Sequence, residues 1–147
     1  MVIISYLRLS DHGERTEVLY LAAPIHTFYE PEYEHAINTI QARRPDGVLL
    51  LSRNMFSDSR DFVLTYRDKL VPVNTLYLLP DRNLRVGAGV YTEWEYLKHV
   101  SPNCKEALAF NPNKDFGIYS NYTLELLRPT VRSMREFASI IYYREKW

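Results

Sequence analysis

The sequence predicts an α/β fold: a single domain over residues 1–147 with a mainly parallel sheet flanked by helices. Three observations carry this. Short apolar, β-rich runs alternate with segments of helical period, the pattern of a parallel sheet covered on both faces. Val48-Leu49-Leu50-Leu51 is a continuous apolar run, as expected of a strand buried on both sides. Finally, Thr75-Leu76-Tyr77-Leu78-Leu79-Pro80 leads through a polar loop into Gly87-Ala88-Gly89-Val90-Tyr91-Thr92-Glu93, which opens a helix. That order sets a carboxylate near a glycine-rich turn at the carboxyl end of a buried strand, where open α/β sheets bind ligands.

Each element follows from local pattern. Met1 to Leu9 and Glu17 to Ala23 read as two strands separated by the polar stretch Ser10 to Thr16. The first lacks a basic leader and a long apolar run, so it is expected to be a strand and not a secretory signal. From about Glu30 to Arg43, Pro31 stands at a helix start and Tyr33, Ala36, Ile37 and Ile40 recur at helical spacing. Pro45-Asp46-Gly47 ends that helix. After the Val48 to Leu51 strand, Ser57-Asp58-Ser59 supplies a cap for a helix from about Arg60 to Leu70. Val73 to Leu79 is the next buried strand, and the glycine-opened helix runs on to the break at Ser101-Pro102-Asn103. Ala107 to Phe110 reads as a strand, Phe116 to Tyr119 as a short β segment, and Pro129 to Tyr143 as a last helix. Its apolar stripe of Val131, Met134, Phe137, Ala138 and Ile141 suits core packing or dimerisation.

Composition narrows the function classes. The chain is 46% hydrophobic and 24% charged, enough for one well-packed core. Lys plus Arg equals Asp plus Glu at 18 each, so no bulk field draws the protein to nucleic acid or an anionic membrane. The interleaved charges of Arg43, Arg44, Arg53, Arg60, Arg67 and Lys69 read as a solvated face. A lone cysteine, Cys104, excludes an intrachain disulfide and a cysteine-rich zinc site, and fits the cytoplasm. His12, His26, His35 and His99 form no metal-ligand spacing on one helix, so no metal is expected. His99-Val100-Ser101 matches half of a two-histidine phosphoesterase signature, but no second half occurs. The turn at Gly87 has neither the lysine of a phosphate-binding P-loop nor the spacing of a dinucleotide fingerprint, so no cofactor is expected.

The glycine-rich turn is where the residues point to chemistry. Gly87 and Gly89 are expected to take φ > 0 and let the backbone approach a ligand, with the helix amino end favouring an anion. Glu93 then has two readings: a carboxylate that acts on a substrate, or a residue that favours the helix amino end through the dipole. Glu95, two residues on, is expected to be solvated. His26 is either a donor to a phosphate or base, or a surface imidazole. Asp81 and Arg82 can hydrogen-bond a base or phosphate, or form a solvated loop pair. Tyr91 lines a pocket or packs as a half-buried ring.

Two segments resemble a known family. Val18-Leu19-Tyr20-Leu21-Ala22-Ala23-Pro24 is similar to the opening "YLAGP" of the nucleoside 2-deoxyribosyltransferase-like superfamily. The unit from Leu76 to Glu93, with Leu78-Leu79-Pro80 and Gly87-Ala88, resembles that superfamily's second motif, in the same order. Deoxyribosyltransferases, nucleoside 5′-phosphate N-hydrolases and many short bacterial and phage proteins make up the group. The match spans roughly Glu17 to Phe110. It implies a Rossmann-like fold, a homodimer or larger assembly, a nucleoside or nucleotide as ligand, and cleavage of an N-glycosidic bond. By the same resemblance Glu93 is the carboxylate at C1′, Tyr20 a ring near it, and Ala23, Pro24 and His26 border the sugar or its 5′-phosphate. The chain departs from the pattern at Ala23, where glycine is usual, around Arg85 to Gly87, where an aspartate is often found, and at Asp81-Arg82-Asn83, where the family has a tryptophan or serine.

Breaking an N-glycosidic bond builds positive charge on the sugar, which a carboxylate stabilises or attacks. The sequence therefore supports an N-glycosidic hydrolase or transferase. A non-catalytic nucleotide-binding or sensing protein of the same fold, and a structural or partner-binding domain, are the alternatives.

Overall fold

A computed structural model describes residues 16–111 together with the backbone of two flanking strands, 2–4 and 117–119. The expected helix at Pro129 to Tyr143, with its apolar stripe, and His12 lie outside the described residues. Six strands form one sheet: β1 (Val2–Ile4), β2 (Val18–Ala22), β3 (Val48–Leu51), β4 (Thr75–Leu78), β5 (Glu106–Asn111) and β6 (Gly117–Tyr119). Their spatial order is β1-β3-β2-β4-β5-β6. The first five run parallel and β6 pairs antiparallel with β5. The fold is α/β with a mainly parallel sheet flanked by helices, as the alternation of segments predicts.

The apolar runs are continuous because both faces are covered. Val18, Tyr20 and Ala22 of β2 face one side with Val48 and Leu50 of β3, Leu76 and Leu78 of β4, and Ala107 and Ala109 of β5. Leu19, Leu21, Leu49, Leu51, Tyr77, Leu108 and Phe110 face the other. The second face is closed by α1 (Pro31–Arg43), whose Tyr33, Ala36, Ile37 and Ile40 are buried at the spacing read from the sequence. The first is closed by α3 (Ser59–Leu70) and α4 (Ala88–His99), through Tyr66, Leu70, Val90, Tyr96 and Leu97. One short helix, α2 (Ser52–Met55), follows β3 directly and has no period long enough to be read from sequence.

Local chemistry sets the joints. Asp58 caps α3, its carboxylate accepting from the Asp61 N–H at 2.8 Å. Removing this cap in Asp58→Ala is expected to cost about 1 kcal/mol in urea denaturation; an unchanged midpoint would show that the turn holds without it. Gly47 lets β3 start tight against β2, since a Cβ there would lie 2.8 Å from Leu19 Cδ1. Of the basic residues read as a solvated face, Arg43 and Arg60 are exposed, whereas Arg44, Arg53 and Lys69 tie segments together. Arg44 reaches Glu17 at 2.8 Å and Glu106 at 3.4 Å, Arg53 reaches Glu34 at 2.7 Å, and Lys69 reaches the Met55 carbonyl at 2.6 Å.

The connection from β2 through α1 goes to β3 on one side, and the chain then returns across β2 to β4 on the other. The carboxyl ends of β2 and β4 thus flank the point where the winding direction reverses, the position at which such sheets bind ligands. The Leu79 N–H donates to the Ala22 carbonyl at 2.8 Å, which continues the pairing to the floor of that crevice. Among the described residues, no helix is long and apolar enough to cross a membrane.

Candidate active site

Beneath the crevice, Tyr20 of β2 donates its hydroxyl hydrogen to Glu93 Oε2 of α4. β2 is the central strand and Tyr20 points to the face that α4 covers, so residues 73 positions apart meet in the layer between helix and sheet. Glu93 lies in the second turn of α4, and no acidic residue occupies the first turn. The dipole explanation therefore does not account for Glu93, because that effect fades within the first turn.

Burial dominates the electrostatics. Glu93 is 4% exposed and Tyr20 fully covered. Loss of hydration pushes the Glu93 carboxyl up to about 8, against the lowering effect of the Tyr20 hydrogen bond. Tyr20 is raised well above the usual phenol range, first by burial and then by the charge of Glu93. The carboxyl is thus largely protonated at neutral pH.

Two further side chains that the sequence reading did not single out belong to this cluster. Ser52, the first residue of α2, is 5% exposed and Tyr33 of α1 is fully covered. Their hydroxyls lie 3.3 Å apart, and the Arg53 N–H donates to Tyr33 Oη at 3.4 Å. No local pattern flags Ser52, which ends an apolar run, or Tyr33, which reads as an ordinary core position of its helix.

The other residues expected near the ligand lie in the loops that follow β2 and β4 and in the first turn of α4. Ala23 is buried, and the Pro24 carbonyl accepts from the Thr27 N–H at 2.9 Å and from Thr27 Oγ1 at 2.7 Å, forming a single 3-10 turn. His26 stands exposed on that turn. Asp81 turns its carboxylate onto its own loop, accepting from the Asn83 N–H at 2.8 Å and the Arg85 N–H at 3.0 Å. Arg82 is exposed and pairs with Glu32 of α1. Tyr91 is half-buried with its ring 5.5 Å from that of Trp94.

Two expectations are corrected. Neither Gly87 nor Gly89 has positive φ: Gly87 caps α4 in an extended conformation with φ −78° and ψ 176°. The left-handed residue of the loop is Leu84, φ 58°, held where the Asp81 carboxylate gathers the backbone N–H groups around it. The glycines instead leave open space, since a Cβ on either would meet no atom within 4 Å. Glu95 is half-buried beside Tyr91, whose hydroxyl is raised first by burial and then by the Glu95 charge, and is not simply solvated.

Among the described residues, no three His, Cys, Asp or Glu side chains gather as a metal site. Comparison of the chain with protein-family models, with curated proteins and with solved structures gives no match.

Proposed function

We propose that this protein cleaves the N-glycosidic bond of a nucleoside or nucleotide, by hydrolysis or transfer, with Glu93 as the carboxylate at C1′ and Tyr20 as its hydrogen-bond partner. The observation that carries this is the buried Tyr20–Glu93 pair under the β2/β4 crevice. A carboxylate there can stabilise or trap the cationic sugar, and a phenol that donates to it holds the reactive oxygen in place. The similarity of the segments around Tyr20 and Glu93 to the deoxyribosyltransferase-like motifs supports the same chemistry. Substrate entry has to ionise the site. A ribosyl group developing positive charge near Glu93 favours the carboxylate over the neutral acid.

The test is incubation of the protein with a panel of nucleosides, deoxynucleotides and NAD, scoring free base by chromatography. Base release that disappears in Glu93→Ala is expected. Equal release by the variant would overturn the assignment.

A second reading is a nucleotide-binding or sensing protein of the same fold, without turnover. It is favoured by the largely protonated state of Glu93 at neutral pH and by the absence of the family's aspartate near the glycine turn. It predicts nucleotide-dependent thermal stabilisation with no base released. In either reading we propose a cytoplasmic homodimer or larger homo-oligomer, the assembly that the same resemblance implies.

A further inference from the structure

A substrate reaches Glu93 only if part of the protein moves, because this carboxyl is 4% exposed and its Tyr20 partner is fully covered. The loop between β4 and α4 packs into the layer that holds the pair. Val86 is buried and Leu84 partly buried in the same apolar cluster as Tyr20 and Val90. From Asp81 to Arg85 the loop is bonded to itself. The Asp81 carboxylate accepts from the Asn83 and Arg85 N–H groups, the Leu84 N–H donates to the Asp81 carbonyl at 2.9 Å, and the Asp81 N–H donates to the Arg85 carbonyl at 3.1 Å. A loop bonded in this way moves as one body. At its α4 end stands Gly87, where a Cβ would meet no atom within 4 Å, so the backbone has both the freedom and the room to swing. Leu84, with φ 58°, holds a conformation that costs a leucine free energy and that the packed loop sustains.

An ion pair ties this loop down. The chain leaving β2 turns onto one face of the sheet to form α1, and the chain leaving β4 turns onto the other to form α4, so the two segments part at the β2/β4 crevice. Arg82 of the second segment pairs with Glu32 in the first turn of α1, 50 positions away. The Arg82 side chain is 78% exposed, so water and salt keep the bond weak: it biases the loop and can release it. Release does not strand Glu32, whose charge the amino end of α1 still favours. We propose that residues 81–87 are a gate over the Tyr20–Glu93 pair and that the Arg82–Glu32 ion pair is the strap that holds the gate shut. The gate's part in catalysis rests on the reading of Glu93 as the reactive carboxylate.

The experiment compares the wild-type protein with Arg82→Gln, Glu32→Gln and the double variant that carries both. Two rates are measured without substrate: amide hydrogen exchange across residues 81–87, and labelling of Glu93 by a water-soluble carbodiimide with glycine ethyl ester, located by mass spectrometry. Each single variant is expected to raise both rates about two- to fivefold, the range of an exposed ion pair. The double variant is expected to match the singles, because either change alone already breaks the strap. Rates that multiply in the double variant would show that the two residues act separately, and would overturn the strap. Faster exchange with unchanged labelling would show that the loop opens without uncovering Glu93, and would overturn the gate. In base release, kcat/KM is expected to rise by the same factor in both single variants, since entry requires opening. A fall confined to Arg82→Gln, with exchange and labelling unmoved, would assign Arg82 to substrate contact and overturn the strap while leaving the glycosidic reading in place. Faster exchange and labelling in a protein that releases no base would support the gate and count against the glycosidic reading alone.

Discussion

Glu93→Gln is expected to abolish base release and, above neutral pH, to make the protein more stable than the wild type. The two effects have one cause. Glutamine keeps the shape of the side chain and can still accept the Tyr20 hydroxyl hydrogen, but it offers no charge to a cationic sugar. In stability, a carboxyl whose folded-state pKa stands at about 8, above its ordinary value of 4.5, binds its proton more tightly folded than unfolded. Between those values the unfolded chain ionises first, so wild-type stability falls as pH rises through the window and levels off above about 8. The full loss is on the order of 3–5 kcal/mol. Glutamine does not titrate and escapes it. Its amide hydrogens, however, need partners in a buried site, a cost of roughly 1–3 kcal/mol at any pH. The sign of the difference therefore reverses: the variant is the less stable protein near pH 5 and the more stable one near pH 9. Urea denaturation at both values measures this, and a difference that does not change with pH would show that Glu93 titrates in the ordinary carboxylate range.

Truncating Leu50 and truncating Leu49 are expected to cost similar stability and to have different effects on the site. Both residues are fully covered in β3, next to β2, so each Leu→Ala change should lose about 2–5 kcal/mol through lost burial and the cavity left behind. They face opposite sides of the sheet. Leu50 stands level with Tyr20 on the face covered by α3 and α4, whereas Leu49 packs on the α1 face. A cavity beside Tyr20 loosens the phenol that holds Glu93. One beside Leu19 and α1 leaves that ring supported. Leu50→Ala should accordingly lose base release beyond what the unfolded fraction explains, and Leu49→Ala should lose only in proportion to it. Equal residual activity per folded molecule in the two variants would show that Tyr20 is held from elsewhere.

The features legible in the sequence are those written in local pattern. The helical spacing of Tyr33, Ala36, Ile37 and Ile40 marks α1 and its buried face, and the uninterrupted Val48 to Leu51 run marks a strand covered on both sides. The Asp58 cap and the Gly47 joint are likewise local. Glu93 stood out because it follows a glycine turn after a buried strand. The physical reason for its prominence was different, since the glycines are not left-handed and the strained residue is Leu84. Ser52 and Tyr33 were hidden for a plain reason. Their relation to Tyr20 and Glu93 depends on how α1, α2 and α4 settle on the sheet, and no spacing along the chain encodes it. The same holds for charged residues such as Arg44 and Arg53, whose partners are 19 to 62 positions distant.

The distance along the chain between Tyr20 and Glu93 has a consequence for a protein made from its amino end. β2 can pair with β3 as soon as the intervening helix has been synthesised, but Tyr20 must wait a further stretch for α4. At ribosomal speeds the 73 residues between the two groups take roughly 4–15 s to appear. Until α3 and then α4 cover it, the Tyr20 side of the nascent β2–β3 pair is an apolar face with a tyrosine hydroxyl in it, which chaperones have their opportunity to engage. The Tyr20–Glu93 pair is thus sealed late in the birth of the molecule, when α4 lies down on strands already in place.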